Sequence, residues 1–303
     1  MAFPAEAAVR PWPWWIAFLV LASALLAIIG AGLILGLILT AASGDRHAID
    51  DYDYLFGLVQ DLAWIAVAIA VPLLIVRWIR PEHLGLRGRP PARSAVKGVL
   101  VLVGFYLLAA VYSAAMGLDS DSNQLLKDTG FGEALGKDVA YALLYAVAAP
   151  VAEELLFRGV VFASLRDGLR SRFGRGPAVA LAALISGSIF GAAHIGGGQD
   201  SFIPVLLALG VLLALAYEWS GTLYVPIAIH SVNNAVATGS SADPTADWIF
   251  GLIALSPLLA LLFAFALSRI VRRLRSEPPA PLAPLPFATQ TDWPDDRRPG
   301  PDA

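Results

Sequence analysis

Three groups of polar residues interrupt otherwise apolar stretches of this chain: Glu153-Glu154-x-x-x-Arg158, Phe190-x-x-x-His194 and His230-x-x-x-Asn234. An ionisable side chain at the centre of a membrane helix costs about 2.5–3.5 kcal/mol on insertion scales, so such groups persist where they do something. Here a carboxylate pair, two of the four histidines of the sequence and a carboxamide fall in apolar surroundings. That set can take a proton from water and can donate hydrogen bonds to a developing oxyanion.

Spacing divides the work within each group. Glu153 and Glu154 are adjacent, so on a helix they point about 100° apart and serve different partners. Arg158 lies four residues after Glu154, where helical side chains meet, which predicts a Glu154–Arg158 ion pair. Glu153 is then left without a local partner and is the candidate general base. A purely structural Glu–Arg network between helices is the competing reading. Pro150, one turn earlier, removes a backbone hydrogen bond and predicts a kink near the glutamates. Phe190 and His194 also stand one turn apart, so the ring can restrict the imidazole. A lone histidine in such a span also serves as an ordinary interhelical hydrogen-bonder. Gly196, Gly197 and Gly198 mark a loop after it. His230 and Asn234 place donors on one helix face, each worth about 2.7–4 kcal/mol if aimed at an oxyanion. As polar glue between helices, each bond is worth only about 0.6–2 kcal/mol. Asn233 faces elsewhere and is assigned a packing or hydrogen-bonding role. Asp61 and Glu218 are embedded acids near predicted span ends, where they can snorkel, and His47 and His83 fall in loops; none of these is placed in the site.

The elements that must position these groups are transmembrane helices. The 303 residues are 57% hydrophobic and 15% charged, with a mean hydropathy of +0.68. Soluble domains average roughly 45–50% apolar and about 25% charged. Apolar stretches near 12–42, 54–79, 95–117, 138–163, 177–195, 202–219, 222–238 and 247–270 predict an all-α polytopic bundle of about eight helices in a lipid bilayer. Trp12, Trp14 and Trp15 are expected at the interface, and Ser220-Gly221 marks a tight helical hairpin. The first stretch is too long for a signal peptide. Basic residues cluster in alternate connections: Arg77, Arg80, Arg87, Arg89, Arg93 and Lys97; Arg166, Arg170, Arg172 and Arg175; Arg269, Arg272, Arg273 and Arg275. The positive-inside rule then puts both termini in the cytoplasm of a plasma-membrane protein. The polar stretch 118–137 becomes the largest external loop. The chain divides into N-terminal helices and a basic loop (1–94), a core (95–240), a last helix (241–276) and a Pro-rich tail expected to be disordered (277–303). A net charge of −3 without a basic stripe excludes nucleic acid as a partner, and the absence of cysteine excludes thiolate chemistry.

Ala149-Pro150-x-x-Glu153-Glu154-x-x-x-Arg158-Gly159, Phe190-x-x-x-His194 and His230-x-x-x-Asn234 together resemble the motifs of the CAAX-protease and bacteriocin-processing family, which includes type II CAAX prenyl endopeptidases and proteins with Abi-type domains. The resemblance covers about residues 95–240. It implies an eight-helix membrane core that hydrolyses a peptide bond of a membrane-associated or lipidated peptide or protein. In that frame Glu153 activates water, His194 positions it, His230 and Asn234 hold the oxyanion, and Glu154, Arg158 and Phe190 support them. The preferred chemistry requires no cofactor. Glu153, His194 and His230 nevertheless match a His2Glu zinc set by residue type, which keeps a metalloprotease alternative open. Two non-proteolytic readings compete: an immunity or scaffold protein with a degenerate site, and a transporter using the embedded groups as a relay. The latter is disfavoured by the absence of an internal repeat. Counting along the spans puts Glu153 and His230 near mid-membrane and His194 near the outer end, a mismatch that three groups sharing one water must overcome.

Overall fold

The computed structural model describes residues 12–44, 52–76, 79–86, 92–118, 135–197, 200–240 and 247–274. All eight predicted stretches are helical: α1 (Ile16–Ser43), α2 (Asp53–Val76), α3 (Ala92–Met116), α4 (Leu135–Phe173), α5 (Arg175–Ala192), α6 (Ile203–Ser220), α7 (Tyr224–Ser240) and α8 (Asp247–Arg273). No strand occurs among the described residues. Seven of the helices are long and apolar enough to cross a membrane. The exception is α7, at 17 residues. Gly221 at φ 70° turns the chain out of α6 and into the α6–α7 hairpin, a conformation that suits glycine.

The fourth helix forms the centre of the bundle, and every residue from Ala149 to Leu165 is buried. By contrast α1 and α3 are peripheral and present Leu25, Leu26, Leu37, Leu100, Leu107 and Val111 outward. In a bilayer this is the expected inversion, because lipid tails are as apolar as the side chains they meet. Helices α5 and α6 cross closely through glycine. A Cβ on Gly210 would lie 2.8 Å from Gly187 Cα, and one on Gly191 would lie 3.0 Å from Leu207 N. Such small-residue crossings supply packing where no hydrophobic effect drives helices together.

The short segment 79–86 is a turn between helices, as expected, but a buried one. Ile79, Leu84 and Leu86 are buried, and Gly85 O accepts from Leu223 N at 2.8 Å, tying this segment to the α6–α7 turn. His83 is likewise buried, and its carbonyl accepts from Trp12 Nε1 at 3.0 Å. Trp12 therefore belongs to the core and not to an interfacial belt, whereas Trp14 and Trp15 are exposed. Glu218 ends its span as expected, between Arg166 (2.9 Å) and Arg175 (3.1 Å). Most of the predicted 118–137 loop, the Pro-rich tail, His47 and Gly198 lie outside the described residues.

Candidate active site

The candidate site starts from a break in the regular winding of α4. Leu144–Ala148 and Glu154–Phe162 are π-helical, and between them Ala149–Glu153 is a short α-helical stretch. Pro150 supplies a local reason. It has no N–H for Ala146 O, and in a regular α-helix its ring would clash with that carbonyl. Widening the turn relieves the clash, and π turns of this kind recur at functional sites. In the wider turn Ala149 N bonds to Leu144 O. Two carbonyls are thereby exposed to a neighbouring helix, and α7 takes both: Ser231 Oγ donates to Ala146 O, and Asn234 Nδ2 donates to Tyr145 O at 2.9 Å. Where a kink is predicted, α4 thus has a wide turn over Leu144–Ala148 whose spare acceptors dock α7.

That docking places His230 between the two glutamates. Its Nδ1 lies 2.8 Å from Glu154 Oε1, and its Nε2 lies 3.8 Å from Glu153 Oε2. A carboxylate only accepts, so Nδ1–H points at Glu154 and Nε2 is the atom turned toward Glu153. Arg158 Nη1 reaches the same Glu154 oxygen at 2.7 Å, which realises the spacing-based ion pair, with both side chains fully buried. Arg158 Nη2 donates to Gly210 O at 3.1 Å, so the close α5–α6 crossing also positions the acceptor for this guanidinium. Phe190 joins the parts. Its ring centroid is 4.5 Å from the Arg158 guanidinium carbon, 4.9 Å from the His194 ring and 5.7 Å from the His230 ring.

A cavity of about 530 Å³ opens on this wall, lined by Glu153, His194, His230 and Asn234 among others. The four sequence-nominated groups therefore share one space. Glu154 and Arg158 do not line it and stand behind His230 as its supports. The depth mismatch for His194 is resolved by its position in the turn just after α5. There it is half-buried, its Nδ1 lies 2.9 Å from Phe190 O, and the cavity extends out to meet it. One N–H of Asn234 is committed to Tyr145 O, and its Oδ1 accepts from Asn233 Nδ2 at 3.2 Å, which leaves the second N–H as its remaining donor.

Two sequence assignments need correction. Asp61 does not snorkel at a span end: it is 3% exposed within α2 and lines the cavity. Asn233 also lines the cavity instead of facing away. The sequence reading missed Trp64, whose indole nitrogen is buried without a hydrogen-bond partner on the same α2 face. The spacing Gln60-Asp61-x-x-Trp64, polar groups on one helical face within an apolar span, was the available signal. Among the described residues no three His, Cys, Asp or Glu side chains are gathered closely enough to hold a metal ion.

Residues 135–236, from α4 into α7, match the family model described as type II CAAX prenyl endopeptidase Rce1-like. The chain is also 27% identical over 180 residues to the membrane-embedded CAAX protease MroQ of Staphylococcus aureus (strain USA300), covering 58% of this chain and 70% of that protein. No solved structure matches the chain.

Proposed function

Because the chain belongs to the CAAX-protease and bacteriocin-processing family, we propose that it is an intramembrane endopeptidase in which Glu153 activates water. The observation that carries this reading is the shared cavity: a carboxylate from α4, an imidazole from the turn after α5, and an imidazole and a carboxamide from α7 line one space. Glu153 Oε2 is buried and has no hydrogen-bond partner, so it is free to take a proton from water. His194 holds that water toward the scissile carbonyl. Attack moves the carbonyl π electrons onto oxygen, and the oxyanion is met by the second N–H of Asn234 and by His230. In its imidazolium form His230 donates from Nε2 while Nδ1–H stays on Glu154. Each donor contributes roughly 10²–10³ in rate.

In this reading no step is routed through a metal. The substrate is a membrane-associated or lipidated peptide or protein, admitted to a cavity whose walls are largely apolar. The distribution of Arg and Lys supports a plasma-membrane protein with cytoplasmic termini. The test is cleavage of apolar peptides by the purified protein in proteoliposomes. Glu153→Ala is expected to abolish cleavage by at least ~10³-fold while the protein inserts and unfolds as the wild type does. Retained cleavage in that variant overturns the assignment of Glu153, whereas a wild type that cleaves nothing leaves the immunity or scaffold reading.

A further inference from the structure

Beside the Glu153 segment, which α2 packs against, the α2 face presents polar atoms that nothing in the bundle satisfies. Asp61 Oδ2 and Trp64 Nε1 are buried and without hydrogen-bond partners, both residues line the cavity, and Gln60 stands beside them. An unpaired buried polar group forfeits about 1–3 kcal/mol, and a carboxyl group forfeits more, so two of them one turn apart are not casual packing. They do not stabilise the bundle in its free form. They become satisfied when a hydrogen-bonding chain enters the cavity, as a peptide backbone does. Amide hydrolysis also needs a proton donor for the departing nitrogen. Glu153, His194, His230 and Asn234 account for the water and the oxyanion, but the departing nitrogen needs a proton before it leaves as an amine.

We infer that Asp61 is a further catalytic residue, a carboxylic acid that protonates the departing amine from the α2 side of the cavity; this deepens the peptidase reading and rests on it. Glu153 removes a proton from water as the new C–O bond forms, and the carbonyl electrons move to oxygen. The nitrogen lone pair then takes the proton of Asp61, the oxyanion collapses, and the C–N bond breaks with its electrons left on the departing amine. Glu153 now carries a proton and Asp61 is a carboxylate. Transfer of one proton from Glu153 to Asp61 through the cavity restores both. The balance is one amide and one water consumed, one carboxylic acid and one amine formed. Two acids lining one enclosed cavity suit this division, because like charges in a low-dielectric site resist being ionised together. Trp64 Nε1–H, one turn along, is placed to hold a substrate carbonyl while this happens.

The experiment exploits the leaving group. An alkoxide departs with far less need of a proton than an amide nitrogen. A quenched apolar peptide cleaved by the wild type, with its scissile bond mapped by mass spectrometry, is compared with the same sequence carrying an ester at that bond. In proteoliposomes D61N is expected to lose at least ~10²-fold in kcat on the amide with KM little changed, and to lose less than ~10-fold on the ester. D61E, which keeps the acid, recovers part of the amide activity. E153Q loses both substrates alike, which separates the two roles. If D61N fails to fold, the amide-to-ester ratio of D61E is read instead, and it must still fall below that of the wild type. Equal losses on amide and ester, or no loss, overturn the Asp61 assignment while leaving the peptidase reading standing. A wild type that cleaves neither substrate overturns both.

Discussion

The support behind His230 makes a quantitative prediction about charge. Arg158 is fully buried, and its contacts are one carboxylate oxygen at 2.7 Å, one backbone carbonyl at 3.1 Å and the face of Phe190 at 4.5 Å. Only the first of these neutralises it. Glu154→Gln therefore leaves a buried cation without its counter-ion, at a cost of about 3–5 kcal/mol. Arg158→Met removes the cation but leaves Glu154 with the Nδ1–H of His230 at 2.8 Å, so its cost lies near the lower end, about 3 kcal/mol. The double variant removes both charges together and replaces a desolvated pair with an amide and a thioether. Its stability is expected within about 1–2 kcal/mol of the wild type, a coupling of at least about 3 kcal/mol. The same double variant leaves His230 without a charged acceptor at Nδ1, so cleavage stays down at least ~10²-fold although the fold is restored. Reversible unfolding in mixed micelles followed by tryptophan fluorescence gives the stabilities, and peptide cleavage gives the activity. Single-variant costs that simply add to within about 0.5 kcal/mol refute the argument, because they mean the pair does not act as a unit.

The remaining predictions concern the helix crossing and the metal question. Gly210→Ala places a Cβ 2.8 Å from Gly187 Cα and 3.1 Å from Gly187 O, so α5 and α6 must separate. We expect a loss of about 1–3 kcal/mol in unfolding stability, together with reduced cleavage, because the acceptor carbonyl of Arg158 moves with residue 210. Stability and activity both unchanged would contradict the crossing geometry. For the metal, cleavage by protein stripped with a chelator series and assayed in metal-free buffer is expected to equal that of untreated protein. Activity that disappears on stripping and returns with zinc would put a metal into the mechanism.

What could be read from the sequence was whatever lies within one helix. The eight apolar stretches are helical because hydropathy is a local property of each segment. The Glu154–Arg158 pair was legible because four residues of helix bring the side chains together. The same holds for Phe190 with His194, whose rings meet at 4.9 Å. The partner of Glu154 across the bundle was not legible: His230 is 76 residues away, and no spacing rule connects them. Asp61 was misjudged for a related reason. A hydropathy profile shows that an acid lies toward the end of a span but not which face of the helix it occupies, and here that face borders the cavity. Trp12 was misread, and the burial of the loop residue His83 was not foreseen, because the segment 79–86, polar enough to pass for an exposed connection, folds its apolar residues inward against the α6–α7 turn.

The sequence posed polar glue and catalysis as alternatives for the residues of α7, and the geometry of α4 dissolves that opposition. Pro150 obliges α4 to widen, and the widened turns free the Tyr145 and Ala146 carbonyls. Ser231 and Asn234 satisfy those carbonyls, which is glue. A carboxamide has two N–H groups, and anchoring one of them fixes where the other points. The same anchorage sets the rotation of α7, which turns His230 Nδ1 onto Glu154 and Nε2 toward Glu153. A donor is useful in catalysis to the extent that it is held before the charge arrives, because the cost of orienting it is then met in folding and not in the transition state. The interhelical bonds around Pro150 supply that restraint, so weakening the glue should weaken the chemistry even where no reacting atom is touched.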